Sequence, residues 1–138
     1  MTGDIKTLFK RYEEAVATLD FEKIVEYFAD TFILAGPKGV ISPNKSEFLK
    51  LSKQAVQLYK RLGRTSAKIL FMKETPISNE YSMVKTHWGL TFQKTGDKTI
   101  ESDITFLVQK TGSEPRIITF IDHQDNEKEY KELGLLST

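Results

Sequence analysis

The stretch from Leu8 to Gly39 constrains the fold of this 138-residue chain more than any other. Apolar residues at helical spacing over Ile5–Leu19 predict a first helix, and Asp20 can start a second one by accepting backbone N–H groups. A β-prone run over Thr31–Ala35 follows, and the turn GPKG that begins at Gly36 ends it. Two helices, a strand and a turn in this order predict a domain in which helices pack against a sheet.

The remaining sequence predicts one long helix and a series of antiparallel strands. Asn44 and Glu47 have the spacing of a capping box at the start of a third helix, and Gly63 ends that helix. Four β-rich runs follow, at residues 66–74, 81–94, 98–110 and 116–123. The short polar breaks between them are typical of neighbouring antiparallel strands. A last short helix is predicted over residues 126–133, with Asp125 as its cap.

The predicted order of elements is therefore α-α-β-β-α-β-β-β-β-α, which indicates the α+β class. We expect a strongly curved, cone-shaped antiparallel sheet of six strands. It wraps round three helices from the N-terminal half, and a short C-terminal helix lies beside it. A length of 138 residues fits one domain over residues 1–138. Because a curled sheet capped by helices has an open end, we expect a pocket for a small molecule there.

Composition excludes several classes of function. Twenty basic and nineteen acidic residues give a net charge of +1, without the basic excess of nucleic-acid-binding proteins. The chain has no cysteine, which excludes disulfides and thiolate chemistry. No apolar run approaches the ~20 residues that span a bilayer, and MTGDIKTLFK lacks the apolar core of a signal peptide. We therefore expect a cytoplasmic protein that binds neither nucleic acid nor membrane.

Several segments together resemble the nuclear transport factor 2-like, or cone-fold, superfamily. They are Arg11-Tyr12 in the first helix, the phrase Tyr27–Asp30, the strand to Gly36, and the pairing of Trp88 with the strand Ile117–Asp125. The resemblance covers nearly the whole chain. It implies a fold rather than one activity, because the superfamily includes ketosteroid isomerase, polyketide cyclases, dioxygenase small subunits and transport adaptors. It also implies a homodimer through the outer face of the sheet.

Ketosteroid isomerase makes testable demands on individual positions. Its mechanism needs a carboxylate base at the end of the first strand, and an oxyanion hole formed by a tyrosine and a protonated aspartic acid. By resemblance, the tyrosine corresponds to Tyr12 and the aspartic acid to Thr105, or to Asp103 if the hairpin shifts by two residues. The base corresponds to Gly36. Because glycine cannot abstract a proton, a typical isomerase reaction is not expected.

Two registers are open for the hairpin formed by residues 81–94 and 98–110. A two-residue turn at Gly96-Asp97 pairs Trp88 with Thr105 and turns Asp103 inward, where burial raises a carboxyl pKa. A change of one residue in the loop leaves Asp103 in solvent. It also turns four apolar residues inward, namely Ile100, Ile104, Phe106 and Val108. The apolar count favours the second register, whereas the resemblance favours the first, and we adopt an inward Asp103.

The histidines raise the question of a metal site. His87 is distant in sequence from His123, which lies between Asp122 and Asp125. Because these residues lack a tight ligand spacing, no metal is predicted. Asp125 is interpreted as a helix cap, and His123 as a rim or interface residue.

Two hypotheses of different classes follow. The first is a protein that binds a small apolar or cyclic molecule. Asp103 or Asp122 would be its polar contact, or the general acid/base of a cofactor-independent lyase or isomerase reaction. The predicted pocket residues are Tyr12, Phe28, Trp88, Asp103, Thr105, Phe120 and Asp122. The second is a non-enzymatic dimerisation or adaptor module that binds protein through the outer sheet face. Gly36 leaves open whether the chain is an enzyme.

Overall fold

The computed structural model describes residues 3–125 and 130–131. Its elements are α1 (Gly3–Ala17), α2 (Phe21–Glu26), β1 (Phe28–Gly36), β2 (Gly39–Ile41), α3 (Lys45–Leu62), β3 (Arg64–Pro76), β4 (Tyr81–Phe92), β5 (Thr99–Gln109) and β6 (Arg116–Asp122). This order confirms the predicted α+β class. The last helix, predicted over residues 126–133, lies outside the described residues except at Tyr130 and Lys131, which are helical.

The six strands form one curved, unclosed sheet in the order β2-β1-β6-β5-β4-β3. Four of the five neighbouring pairs run antiparallel, as predicted. The fifth pair, β1 with β6, is parallel, which differs from the predicted antiparallel sheet. The meander from β3 to β6 begins at the far edge of the sheet and reaches β1 last. The last strand therefore lies beside the first one, and their ends form one end of the cone.

The local signals that begin and end the helices act as the sequence predicts. Asp20 caps α2, since its side chain accepts the N–H of Lys23 at 3.3 Å. Asn44 and Glu47 form a reciprocal capping box at the start of α3. Gly63 ends α3 with a φ of 74°, in the left-handed region that glycine adopts at low cost.

The core lies between the helices and the concave inner face of the sheet. The Phe9 ring of α1 packs edge-on against Phe106 of β5, with ring centroids 5.0 Å apart. The largest fully buried side chains are Phe9, Phe28, Phe32, Phe92, Phe106, Ile5, Ile100 and Ile117. Burying one such side chain contributes about 1.5–3 kcal/mol, so this cluster dominates the folding free energy. Among the described helices, none is long and apolar enough to cross a membrane.

Candidate functional site

The register of the β4–β5 hairpin decides which polar residues face the interior. Trp88 pairs with Ser102 and His87 with Asp103, so the prediction of an inward Asp103 is wrong. The loop is longer than a two-residue turn, because a 3-10 helix at Gln93–Thr95 precedes Gly96. The observed register buries three β5 side chains completely, namely Ile100, Phe106 and Val108. Burying these apolar groups is favourable, whereas burying an acid in their place is costly.

Asp103 instead belongs to a hydrogen-bonded array on the outer face. The two ring nitrogens of His87 lie 2.6 Å from Asp103 Oδ1 and 2.9 Å from Glu101 Oε1. Two carboxylate acceptors require two ring N–H donors, so the geometry favours the imidazolium form. The hydrogen bond to Asp103 raises the pKa of His87, and the same bond lowers the pKa of Asp103. An acid with a lowered pKa is a poor proton donor, so Asp103 lacks the property predicted for it.

Thr105 also faces outward, which corrects its assignment to the pocket. Its hydroxyl lies 2.7 Å from Nε2 of His123. It pairs with Lys85 across the hairpin, on the face opposite to the aromatic core. Thr105 is buried beneath its outer-face neighbours rather than in the cone.

The predicted aromatic residues form the packed core of the cone. The Tyr12 ring centroid lies 5.4 Å from Phe106, 6.1 Å from Trp88 and 6.4 Å from Phe28. Burial raises the pKa of Tyr12, so its hydroxyl keeps its proton. Phe120 is partly buried, with its ring 5.6 Å from that of Phe106. The four predicted aromatic residues thus belong to the core. That any of them contacts a ligand stays a prediction.

Trp88 has a polar contact inside this core. Its Nε1–H donates to Thr86 Oγ1 at 2.8 Å, and Thr86 in turn donates to the carbonyl of Ile104 at 2.7 Å. The chain of bonds satisfies the indole N–H in an apolar environment.

Asp122 is the predicted acid that lies on the inner face. It pairs with inward-facing Ile104 at the end of β6, beside Gly36 at the end of β1. Burial raises the pKa of Asp122, although its Oδ1 accepts the N–H of Gln124 at 3.2 Å, which opposes the rise. Of the two acids considered from the sequence, Asp122 is thus the one whose pKa is raised, whereas that of Asp103 is lowered.

Two tyrosines that the sequence analysis missed are connected to Asp122, Tyr59 through the charge of Asp122 and Tyr130 through Tyr59. Tyr59 of α3 and Tyr130 form a side-chain hydrogen bond, and the Tyr130 ring packs edge-on against Phe92, 5.6 Å away. Burial raises the pKa of Tyr59, and the negative charge of Asp122 raises it further. We call Gly36, Tyr59, Asp122 and Tyr130 the Asp122 site. Its members come from four parts of the chain, so no local sequence pattern could have identified it.

Arg64 contacts the Asp122 site through Tyr59. Its guanidinium lies over the Tyr59 ring, 4.9 Å from the centroid. It also donates to the backbone carbonyls of Val16 and Ala17, the latter at 3.4 Å. The arginine therefore joins the end of α1 to the start of β3 and fixes the position of Tyr59.

Two surface cavities lie near the opposite end of the cone, at Phe28 and Arg116. One of about 570 Å³ is lined by Arg11, Glu14, Ala15, Thr18, Lys23, Glu26, Tyr27, Glu114 and Arg116. The other, of about 500 Å³, is lined by Glu26, Phe28, Ala29, Asp30, Lys45, Gln109 and Arg116. Phe28 is the one predicted pocket residue that lines either of them. Within residues 3–125 and 130–131, no three histidine or acidic side chains are grouped to hold a metal ion.

Comparisons with known proteins agree with this architecture. A family model described as NTF2-like protein (DUF6841) matches residues 3–125. No curated protein matches the chain.

Solved structures of low sequence identity share the fold. An NTF-2 like protein of unknown function from Shewanella oneidensis MR-1 is 22% identical over 88% of this chain and 97% of its own, with a TM-score of 0.72. An NTF2-like protein with a cystatin-like fold from Novosphingobium aromaticivorans is 14% identical over 98% and 88%, with a TM-score of 0.73. The beta subunit of the benzoate 1,2-dioxygenase from Burkholderia mallei is 11% identical over 93% of both chains, with a TM-score of 0.65. At such identities the similarity extends to the fold alone.

Proposed function

Since this chain belongs to the NTF2-like protein family DUF6841, we propose that it binds a small, largely apolar molecule at the Asp122 site. The observation that carries the proposal is the position of Asp122 on the inner face, half-buried, with a pKa that burial raises. Structural ion pairs also perturb carboxyl pKa values, but Asp122 forms no salt bridge within the described residues. A partly desolvated acid that forms no salt bridge within the described residues, at the end of the cone where β1 and β6 finish, fits a polar contact for a ligand.

The surroundings of Asp122 favour a cyclic ligand with an oxygen function. Gly36 has no side chain, and an added Cβ there would lie 3.7 Å from the Cβ of Asp122, so the bare end of β1 lies within contact distance of this acid. The hydroxyls of Tyr59 and Tyr130 supply further hydrogen-bonding groups, and burial keeps Tyr59 protonated. The Asp122 carboxylate can accept a hydrogen bond from a ligand hydroxyl, and its protonated form can donate one to a carbonyl oxygen. With its proton lost, the same group can act as a base in a lyase or isomerase reaction that needs no cofactor.

Replacing Asp122 by asparagine tests this role. We expect Asp122→Asn to weaken binding of 2-naphthol, a neutral bicyclic phenol, about tenfold. The ionised Asp122 carboxylate would accept a hydrogen bond from the phenol hydroxyl, and such a charge-assisted bond contributes about 1.5–3 kcal/mol. The fluorescence of 2-naphthol provides the binding curve. In the same protein, carbon-detected NMR should give a pKa above 3.8 for Asp122 and below 3.8 for Asp103.

Asp103→Asn is the matched control, since it makes the same chemical change on the outer face of the sheet. It should leave the affinity for 2-naphthol unchanged. Equal loss in both variants, or an Asp122 that titrates below 3.8, would contradict the proposal.

A second candidate function is dimerisation through the outer face of the sheet. This face exposes apolar side chains on several strands, namely Ile33, Val40, Leu70, Phe71 and Ile121. It also has charges of both signs: Lys73 lies opposite Lys85, whereas Glu101 and Asp103 lie on the next strand. A two-fold axis through such a face can set the lysines of one copy against the acids of the other. This charge arrangement favours a second copy of the chain as the partner.

Phe71→Glu tests the dimer. Phe71 is 62% exposed, so the substitution should leave the fold intact while it places an unpaired charge in the interface. Sedimentation velocity should show a dimer for the unmodified chain and a monomer for the variant. Ile77→Glu, at a residue 61% exposed in the β3–β4 turn, should remain a dimer. A monomeric unmodified chain at about 100 µM would exclude a stable dimer, because that concentration corresponds to weak association.

A further inference from the structure

Strand β1 separates from β6 over a short segment beside the 500 Å³ cavity. Phe28 pairs with Ile117 and Ile33 with Thr119, so five residue steps in β1 lie opposite two in β6. The intervening β1 residues include Ala29 and Asp30, which line the cavity. Irregularities of this kind are frequent next to binding sites, because they redirect side chains and interrupt pairing.

Lys45 is held at this cavity by two backbone carbonyls. Its Nζ donates to the carbonyl of Phe28 at 2.6 Å and to that of Val25 at 2.8 Å. An ammonium group has three N–H donors, so one remains for a further acceptor. Burial lowers the pKa of Lys45, and the positive charge of Arg116 lowers it further, against the opposing effect of Asp30.

The cavity is lined by two cations and two acids that do not pair with one another. Of Lys45, Glu26 and Asp30, none forms an ion pair within 4.0 Å in the part of the chain that the structure describes. Arg116 uses one nitrogen, Nη1, for Glu114 at 3.1 Å and for the carbonyl of Pro115. The amide of Gln109 lines the same cavity. Charges of both signs therefore face one space without neutralising each other by contact.

We propose that this cavity binds a small zwitterion of the α-amino acid class. Its carboxylate would accept hydrogen bonds from Lys45 and Arg116, and its ammonium group would donate to Asp30 and Glu26. A simple anion meets repulsion from the two acids, and a simple amine meets repulsion from the two cations. A zwitterion satisfies both pairs and separates the like charges. The site is independent of the Asp122 site, and its volume lies within the range of small-molecule pockets.

An NMR titration with L-alanine tests the proposal. We expect saturable shifts of the backbone amides of Ala29, Asp30 and Arg116, with a Kd on the order of 1 mM. Propionate and ethylamine, which each carry one of the two charges, should bind at least about tenfold more weakly, which corresponds to about 1.4 kcal/mol. Asp30→Asn and Arg116→Gln should each weaken alanine binding about fivefold or more.

Lys50→Gln is the control for loss of charge, because Lys50 is an exposed cation on α3 that does not line the cavity. It should leave the affinity for alanine unchanged. Shifts that stay linear to about 50 mM alanine would overturn the proposal. Propionate binding as tight as alanine binding would also overturn it, since it would identify an anion site.

Discussion

Replacing Trp88 by alanine is expected to destabilise the protein by about 3–5 kcal/mol, which is the usual cost of removing a large buried aromatic side chain. Trp88 is 3% exposed and lies against Tyr12 of α1, so the substitution leaves a cavity between the helices and the sheet. It also removes the donor to Thr86 Oγ1. Because a small domain has only about 5–15 kcal/mol of stability, the variant should unfold at a clearly lower urea concentration.

Trp88→Phe separates the two contributions. Phenylalanine keeps most of the apolar volume and loses the indole N–H, so we expect a smaller cost, about 1 kcal/mol for the hydrogen bond together with the volume lost. Urea unfolding followed by circular dichroism measures both variants without depending on the tryptophan itself. If Trp88→Ala cost less than about 1 kcal/mol, the indole would have to lie in a solvated pocket wall rather than in the core.

Much of the fold could be predicted because its signals are local. Asp20 caps a helix by accepting the N–H of the residue three positions later. Asn44 and Glu47, also three positions apart, each accept the backbone N–H of the other through their side chains. Gly63 ends α3 through its own backbone conformation. Each of these helix ends depends on residues that are close together in sequence, so a short sequence pattern is enough to predict it. The element order then restricts the topology to a sheet covered by helices.

The prediction of an inward Asp103 was wrong because the face on which a β5 side chain lies depends on the length of one loop. The residues between Phe92 and Thr99 include a 3-10 helix, and a change of one residue in such a loop reverses the face of every side chain in β5. The count of apolar residues, which include Ile100 and Phe106, favoured the register that the structure has, whereas the resemblance favoured the other register. Where the two conflict, the free energy of burying apolar groups is the better guide.

The Asp122 site could be predicted only in part, because its members meet through tertiary contacts. Asp122 was a candidate from its alternation with Phe120, which places both on one face of β6. Tyr59 and Tyr130 are 71 positions apart in sequence and meet through the packing of α3 and Phe92. Contacts of this range leave no periodic pattern in the chain.

Gly36→Asp should place an acid beside Asp122, at the position that corresponds by resemblance to the base of ketosteroid isomerase. The backbone accepts this change, since an added Cβ meets Asp122 at ordinary contact distances of 3.7 and 3.8 Å. Two carboxylates about 5 Å apart repel by about 3 kcal/mol at an effective dielectric constant of about 20. Because Asp122 is half-buried, we reduce this to about 1–2 kcal/mol for solvent screening, or about one pKa unit.

The sign of the pH dependence follows from proton binding. Repulsion raises a carboxyl pKa in the folded state, so between the unfolded and folded pKa values the folded protein binds more protons than the unfolded chain. The stability of Gly36→Asp should therefore fall as the pH rises through this interval, and stay lower above it. We expect a loss of about 1–2 kcal/mol between acid and neutral pH, relative to Gly36→Asn, which has the same shape without the charge.

Urea unfolding at several pH values measures this difference, and carbon-detected NMR gives the titration of the two acids as a coupled pair. Parallel pH profiles of Gly36→Asp and Gly36→Asn would mean that residue 36 and Asp122 do not share one end of the cone. A divergence would show that the fold tolerates a paired acid system at this end. The glycine at the end of β1 would then be what separates the site in this chain from a two-acid site, rather than any difference in the surrounding fold.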